Sequence, residues 1–216
     1  MIGVVVPVHN EQALLHDCLQ ALQQAALHPA LGAEPVRIVA VLDACSDDSA
    51  RVAAAHDGIT VLETSAANVG RARHTGAVHL LAKGARWLSF TDADSRVGRE
   101  WLAVQLASPG DAICGSVRLD DWAGMPRAQR QRYLAERRLV AANRHVHGAN
   151  MGVSAEAYRA VGGFEPLCAH EDIRLIQALE TAGYHVHWAP ALSVMTSARL
   201  DARAPEGMAA LLKSLQ

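Results

Sequence analysis

Two short acidic motifs carry the densest chemistry in this chain, Thr91-Asp-Ala-Asp-Ser95 and His170-Glu-Asp172. In the first, two carboxylates stand one residue apart, directly after the apolar run Trp87-Leu-Ser-Phe90. On an extended or turning segment, residues i and i+2 point roughly the same way. Asp92 and Asp94 can therefore offer hard oxygens to one divalent cation, Mg2+ or Mn2+, which also takes diphosphate oxygens and water. Such a cation neutralises charge developing on a phosphate leaving group. Asp is also a common turn residue, so the motif alone is equally consistent with a capped turn. Glu171 and Asp172 open a helical pattern, where the dipole and free amides stabilise carboxylates. Gly148-Ala-Asn150-Met-Gly152 is a stretch of small residues that lets backbone approach a ligand closely, with Asn150 as a hydrogen-bonding group for a hydroxyl. Arg199 and Arg203, after Thr196, form a small basic loop suited to phosphate through the guanidinium fork.

The elements that must position these groups alternate. Ile2 to Val8 and Val36 to Leu42 are continuous, β-branched-rich runs, as expected of strands buried on both faces. Helices are expected from Glu11 to Ala26, where Leu15, Leu19 and Leu22 recur at helical spacing, from Ser49 to Ala55, and from Gly70 to Lys83. A short strand is expected at Thr60 to Leu62 and a fourth at Trp87 to Phe90. This alternation implies a mostly parallel sheet with helices on both faces, whose ligands bind where the strands end. The loops at Pro7–Glu11, Asp43–Asp48 and Thr91–Arg96 are the polar ones, as that rule requires.

In the second half, a strand is expected at Ala112 to Val117 and a long arginine-rich helix from Pro126 to about Val146. A helix from Glu171 to Ala182 stopped by Gly183 follows, then a strand from Val186 to Val194 and a short terminal helix. The arginine-rich helix reads as a solvated face or as a surface for an anionic acceptor or membrane. One domain over 1–216 is expected, with a nucleotide-binding half to about residue 98 and an acceptor-side half beyond.

Composition narrows the classes. Half of the 216 residues are hydrophobic and 19% are charged, enough for a core and unlike a disordered chain. A formal charge of −2 and a pI near 6.6 give no global basic field for nucleic acid. No apolar stretch reaches membrane-spanning length, and no leader pattern precedes the first strand. Cys18, Cys45, Cys114 and Cys168 are scattered, without metal-like spacing, and are read as buried thiols of a cytoplasmic protein. The histidines form no metal motif.

The order of motifs is more specific than any one of them. Val6-Pro-Val-His-Asn-Glu11, Leu42-Asp-Ala-Cys-Ser-Asp-Asp-Ser49, Asn68-Val-Gly-Arg-Ala-Arg-His-Thr-Gly76, Phe90-Thr-Asp-Ala-Asp94, His147-Gly-Ala-Asn-Met-Gly152 and His170-Glu-Asp172 follow one another along residues 2–190. This succession resembles family 2 glycosyltransferases, which have the GT-A fold. The resemblance implies an inverting transfer of sugar from a nucleotide-sugar donor to a carbohydrate, lipid-linked or small-molecule acceptor. It implies that Pro7, His9, Asn10 and Glu11 line the nucleotide and that Asp43 holds its base or ribose. Ala44, where the family often has Asp or Asn, departs from the pattern. By the same resemblance Arg73, with Arg71, faces the nucleotide, Asp94 with Asp92 forms the metal and ribose pair, and Arg199 lies in a loop over the diphosphate. Asp172 is the expected general base and Glu171 a substrate-binding neighbour. A nucleotidyltransferase would carry a glycine-rich, basic first loop, and a nicotinamide dehydrogenase a G-x-G-x-x-G there; Pro7–Glu11 has neither. A nucleotide-sugar-binding relative without chemistry is the non-enzymatic alternative.

Overall fold

The computed structural model describes residues 1–119, 126–127, 129–133 and 144–199. Its strands are β1 (Ile2–Val8), β2 (Val36–Asp43), β3 (Ile59–Thr64), β4 (Trp87–Phe90), β5 (Ser95–Arg96), β6 (Ala112–Leu119), β7 (Met151–Ser154) and β8 (Val186–Thr196). Helices are α1 (Leu15–Ala26), α2 (Ser49–Ala54), α3 (Val69–Ala82), α4 (Trp101–Ala107), α5 (Ala155–Ala160) and α6 (Glu171–Thr181). One sheet in the order β3-β2-β1-β4-β7-β6-β8-β5 runs through both halves of the sequence.

The pairs β3–β2, β2–β1 and β1–β4 are parallel, as the strand–helix alternation predicts. Beyond β4 the sheet is mixed, with β4–β7, β7–β6 and β8–β5 antiparallel and β6–β8 parallel. Side-chain alternation along β1 splits the core into two layers. Ile2, Val4, Val6 and Val8 face Leu15, Cys18, Leu19 and Leu22 of α1, with Trp101 and Leu102 of α4 in the same layer. Val5, Val39 and Val41 face Ala72, Ala77 and Leu80 of α3, in the layer that also holds Leu175, Ile176 and Leu179 of α6. Helix α3 lies so close to the sheet that a Cβ on Gly76 would stand 2.5 Å from Val5 Cγ1.

Several boundaries differ from those expected. Helix α1 begins at Leu15 because Glu11 closes a turn first, its carbonyl accepting from Leu14 N at 3.0 Å and Leu15 N at 2.9 Å. Pro7 is tolerated inside β1 because β4 pairs only as far as Val5, leaving no strand on that side to need its missing N–H. Gly183 terminates α6 at φ 85°, as expected, with Tyr184 N donating to Leu179 O at 3.0 Å. The arginine-rich helix falls partly outside the described residues: Arg127 and residues 129–133 are helical, Arg137 and Arg138 are not described, and residues 144–147 are not helical. Arg203 and the expected terminal helix also lie outside them. Among the described residues no helix is long and apolar enough to cross a membrane.

Candidate active site

The loops after β1 and β2 are built from side chains that bind backbone amides. Asn10 adopts φ 56°, and its Oδ1 accepts from Ser46 N at 2.7 Å and Asp47 N at 3.2 Å. The contacts are reciprocated: Gln12 N donates to Asp47 Oδ2 at 3.0 Å, Asp48 N to Gln12 Oε1 at 2.8 Å, and Glu11 N to Ser49 Oγ at 2.8 Å. His9, exposed, donates from Nδ1 to the Asp43 carbonyl at 2.6 Å, which leaves Nε2 without that tie. The two loops thus form one rigid ledge at the carboxyl end of β1 and β2.

Asp43 has a structural partner in the backbone beside the ledge. Its buried carboxylate accepts from Ala67 N at 2.8 Å and Asn68 N at 2.6 Å, one bond to each oxygen. It pins the loop that starts α3, and Asn68 then caps that helix by accepting from Arg71 N at 2.9 Å. The carboxylate thereby fixes the backbone between β3 and α3 against the end of β2.

Next to this ledge, arginine replaces amide as the partner of acid. Arg73 is 3% exposed. Its Nη2 donates to Asp92 Oδ1 at 2.5 Å and its Nη1 to Glu171 Oε1. One guanidinium therefore ties the end of the fourth strand to the start of α6. A Cβ on Gly148 would stand 2.5–2.7 Å from the Arg73 guanidinium atoms, so a side chain here would have to push that guanidinium aside. Asp172, one residue along α6, accepts from Gly148 N at 2.7 Å and from Ile173 N at 2.8 Å. On the far side, Arg199 forks both carboxylate oxygens of Glu11, and its Nη2 lies 3.3 Å from Asp94 Oδ2. Thr196, at the end of β8, donates its hydroxyl to Asp94 Oδ1 at 3.2 Å and accepts from Ser95 Oγ at 3.0 Å.

Four carboxylates, Glu11, Asp92, Asp94 and Glu171, thus share two guanidiniums. Burial, then the neighbouring Asp92 carboxylate, push Asp94 up to about 6, and the charge of Arg199 opposes that rise. Cys18 lies beneath, its thiol held protonated by burial and by Asp94 and Asp92, and donates to Asp92 O at 3.4 Å. Among the described residues no three His, Cys, Asp and Glu side chains converge as a metal cage. Asp92 and Asp94 are a partial set of hard oxygen donors, which fits a divalent cation completed by oxygens from a ligand.

The family model for glycosyl transferase family 2 matches residues 3–162. The chain belongs to that family. No curated protein matches it significantly. Among solved structures, it is similar to the mannosyltransferase PcManGT from Pyrobaculum calidifontis in complex with GDP-Man and Mn2+, at 21% identity and a TM-score of 0.70, covering 97% of this chain and 59% of that one. It is similar to residues 1–349 of S. aureus TarS in complex with UDP-GlcNAc, at 14% identity and a TM-score of 0.71, covering 95% and 61%. M. tuberculosis glucosyl-3-phosphoglycerate synthase matches at 16% identity and a TM-score of 0.63, covering 100% of this chain and 76% of that one. These likenesses show a shared fold, and the chain spans about three fifths of the first two structures' length.

Against the family pattern, the structure gathers Glu11, Arg73, Asp92, Asp94, Glu171, Asp172 and Arg199 into one cleft, with His9 and Asn10 on its ledge. Two residues have protein partners that their sequence context did not reveal. Arg73 joins the two acidic pairs, its buried guanidinium shared by Asp92 and Glu171. Asn150 is fully buried, its Oδ1 accepting from Trp101 Nε1 at 2.8 Å and its Nδ2 donating to Ser116 O at 2.7 Å and Leu192 O at 2.8 Å. It stitches the register shift between β6 and β8 rather than presenting an amide to a hydroxyl. Thr196, Ser49 and Gly148 were not singled out for these supporting contacts. The Ser89-Phe-Thr-Asp-Ala-Asp-Ser95 context gives no local hint that a threonine about a hundred residues later completes it.

Proposed function

We propose that the chain transfers a sugar from a nucleotide-sugar donor to an acceptor hydroxyl with inversion, using a divalent cation, Mn2+ or Mg2+, at Asp94 and Asp92. The observation that supports this reading is the Arg73 bridge, which joins the Asp92–Asp94 segment to the acidic start of α6. When bound, the cation supplies charge neutralisation to the nucleoside diphosphate leaving group. Asp172 is the base, taking the proton of the acceptor hydroxyl as its oxygen attacks the anomeric carbon opposite the leaving group. Its two amide bonds fix the carboxylate's orientation while each oxygen keeps a lone pair for the hydroxyl. His9 and the Asn10 ledge carry the nucleotide, and exposed Arg71 and half-buried Arg199 serve its phosphates. Glu171, held by Arg73, supports this arrangement from beneath.

The bound donors of two similar structures, GDP-Man with Mn2+ in one and UDP-GlcNAc in the other, support a nucleotide-sugar and a cation here. Free thiols at all four cysteines support a reducing, cytoplasmic setting. The test is nucleotide release from a panel of GDP- and UDP-sugars, with and without Mn2+. Metal-dependent turnover is expected, and Asp172→Asn is expected to bind donor normally while transfer falls by roughly 10²-fold or more. Near-normal turnover in that variant would remove Asp172 from the mechanism. Donor binding by the wild type without any turnover would leave a binding-only relative.

A further inference from the structure

Glu11 and Arg199 are 188 positions apart and meet at the edge of the cation site. Glu11 is held from both sides: its N–H donates to Ser49 Oγ at 2.8 Å, and its carbonyl accepts from Leu14 N and Leu15 N at 3.0 and 2.9 Å. Its side chain is 7% exposed, against 24% for Arg199. A carboxylate this buried is costly to leave charged and unpaired, so a cation beside it is strongly stabilising. Among the described residues Arg199 fills that need, and the same guanidinium reaches Asp94 at 3.3 Å. Arg199 stands on irregular backbone three residues past the end of β8, with its own N–H on Ser197 Oγ at 3.2 Å. The acid is therefore built into the ledge, and the base is carried on a tether.

From this asymmetry we infer that Arg199 is a placeholder cation, which competes with the divalent ion for Glu11 and Asp94 and moves to the donor's diphosphate on loading. The inference rests on Asp92 and Asp94 holding the cation, and it adds Glu11 to the carboxylates that face it. The metal alone has to displace a guanidinium from two carboxylates. With a nucleoside diphosphate the same displacement costs less, because the phosphates give Arg199 a second anionic partner, again in bidentate geometry. Metal and diphosphate then bind with positive coupling, and by linkage each raises the other's affinity by the same factor. A guanidinium that served only the phosphates would contribute to diphosphate affinity without restraining the metal.

The two roles predict opposite signs for one measurement. Free Mn2+ is titrated by electron paramagnetic resonance against the wild type, Arg199→Gln, Arg199→Lys and Asp94→Asn, each alone and with UDP or GDP. Arg199→Gln is expected to bind Mn2+ alone about tenfold more tightly than the wild type, and the enhancement of Mn2+ binding by diphosphate is expected to shrink by a similar factor. Arg199→Lys, which keeps a charge but cannot fork two carboxylates, falls between them and serves if the glutamine variant does not fold. Asp94→Asn loses Mn2+ in both states. Metal affinity in the Arg199 variants equal to or below that of the wild type overturns the inference, as does the absence of Mn2+ binding from every variant. If the wild type with Mn2+ binds neither UDP nor GDP, the transferase reading fails, and the metal-only comparison still decides the role of Arg199.

Discussion

The ledge after β1 and β2 and the acidic cleft beside it solve the same problem with different partners. On the ledge, Asn10, Asp43 and Asp47 are answered by backbone amides, which are neutral and fixed by the strands. In the cleft, Glu11, Asp92, Asp94 and Glu171 are answered by Arg73 and Arg199. Amide-bound acids stay where they are whether or not a ligand arrives. Guanidinium-bound acids are held by charge, and the cleft's carboxylates outnumber its arginines, so it remains receptive to a further cation. The ledge supplies shape, and the cleft supplies a field that a ligand can rearrange.

This contrast can be broken most forcefully at Arg73. Arg73→Met leaves Glu171 buried and unpaired, so unfolding in urea is expected to show a loss of about 3–5 kcal/mol. A loss below about 1 kcal/mol would mean that the cleft floor is solvated like a surface. On the ledge, Asp43→Ala strands the Ala67 and Asn68 amides, and a loss of about 1–3 kcal/mol is expected. Hydrogen exchange should speed up locally at residues 64–70 in that variant; protection unchanged there would contradict the pinning role of Asp43.

The smallest effect is expected at Glu34, an ion pair outside both regions. Arg86 donates to its two oxygens at 2.7 and 2.6 Å and is the main reason its pKa falls from an ordinary 4.5 to about 2. A depressed acid stabilises the fold above its unfolded pKa, and the benefit fades as pH falls through about 4.5 toward 2. Because Arg86 is mostly in water, Glu34→Gln is expected to cost only about 0.2–1 kcal/mol at neutral pH and nothing near the acid end. A pH-independent difference between the two proteins would assign the effect to packing instead of charge.

Legibility of the fold followed the length and regularity of each pattern. The runs of β1, β2 and β4 and the helical spacing of α1 and α6 were readable because burial on one or two faces imposes a local period. Strand β5, helix α4 and the β7–α5 unit were not, being short segments whose pairing partners lie far along the chain. Among site residues, the acidic motifs stood out by type and place, since carboxylates after an apolar strand are conspicuous. Asp43 was conspicuous for the same reason and Asn150 for its place among small residues, yet the structure gives Asp43 two backbone amides and Asn150 two carbonyls and the Trp101 indole.

Residue type and order alone determined which side chains would be available at the carboxyl edge of the sheet and which family pattern they follow. Only the tertiary structure decided who pairs with whom. Hydrophobic periodicity is a property of neighbours in sequence, whereas an ion pair depends on distance in space and on the water left between the partners. Nothing near Arg73 points to Glu171, and nothing near Glu11 points to Arg199. Those pairings exist because α3, α6 and the end of β8 are packed against one sheet edge.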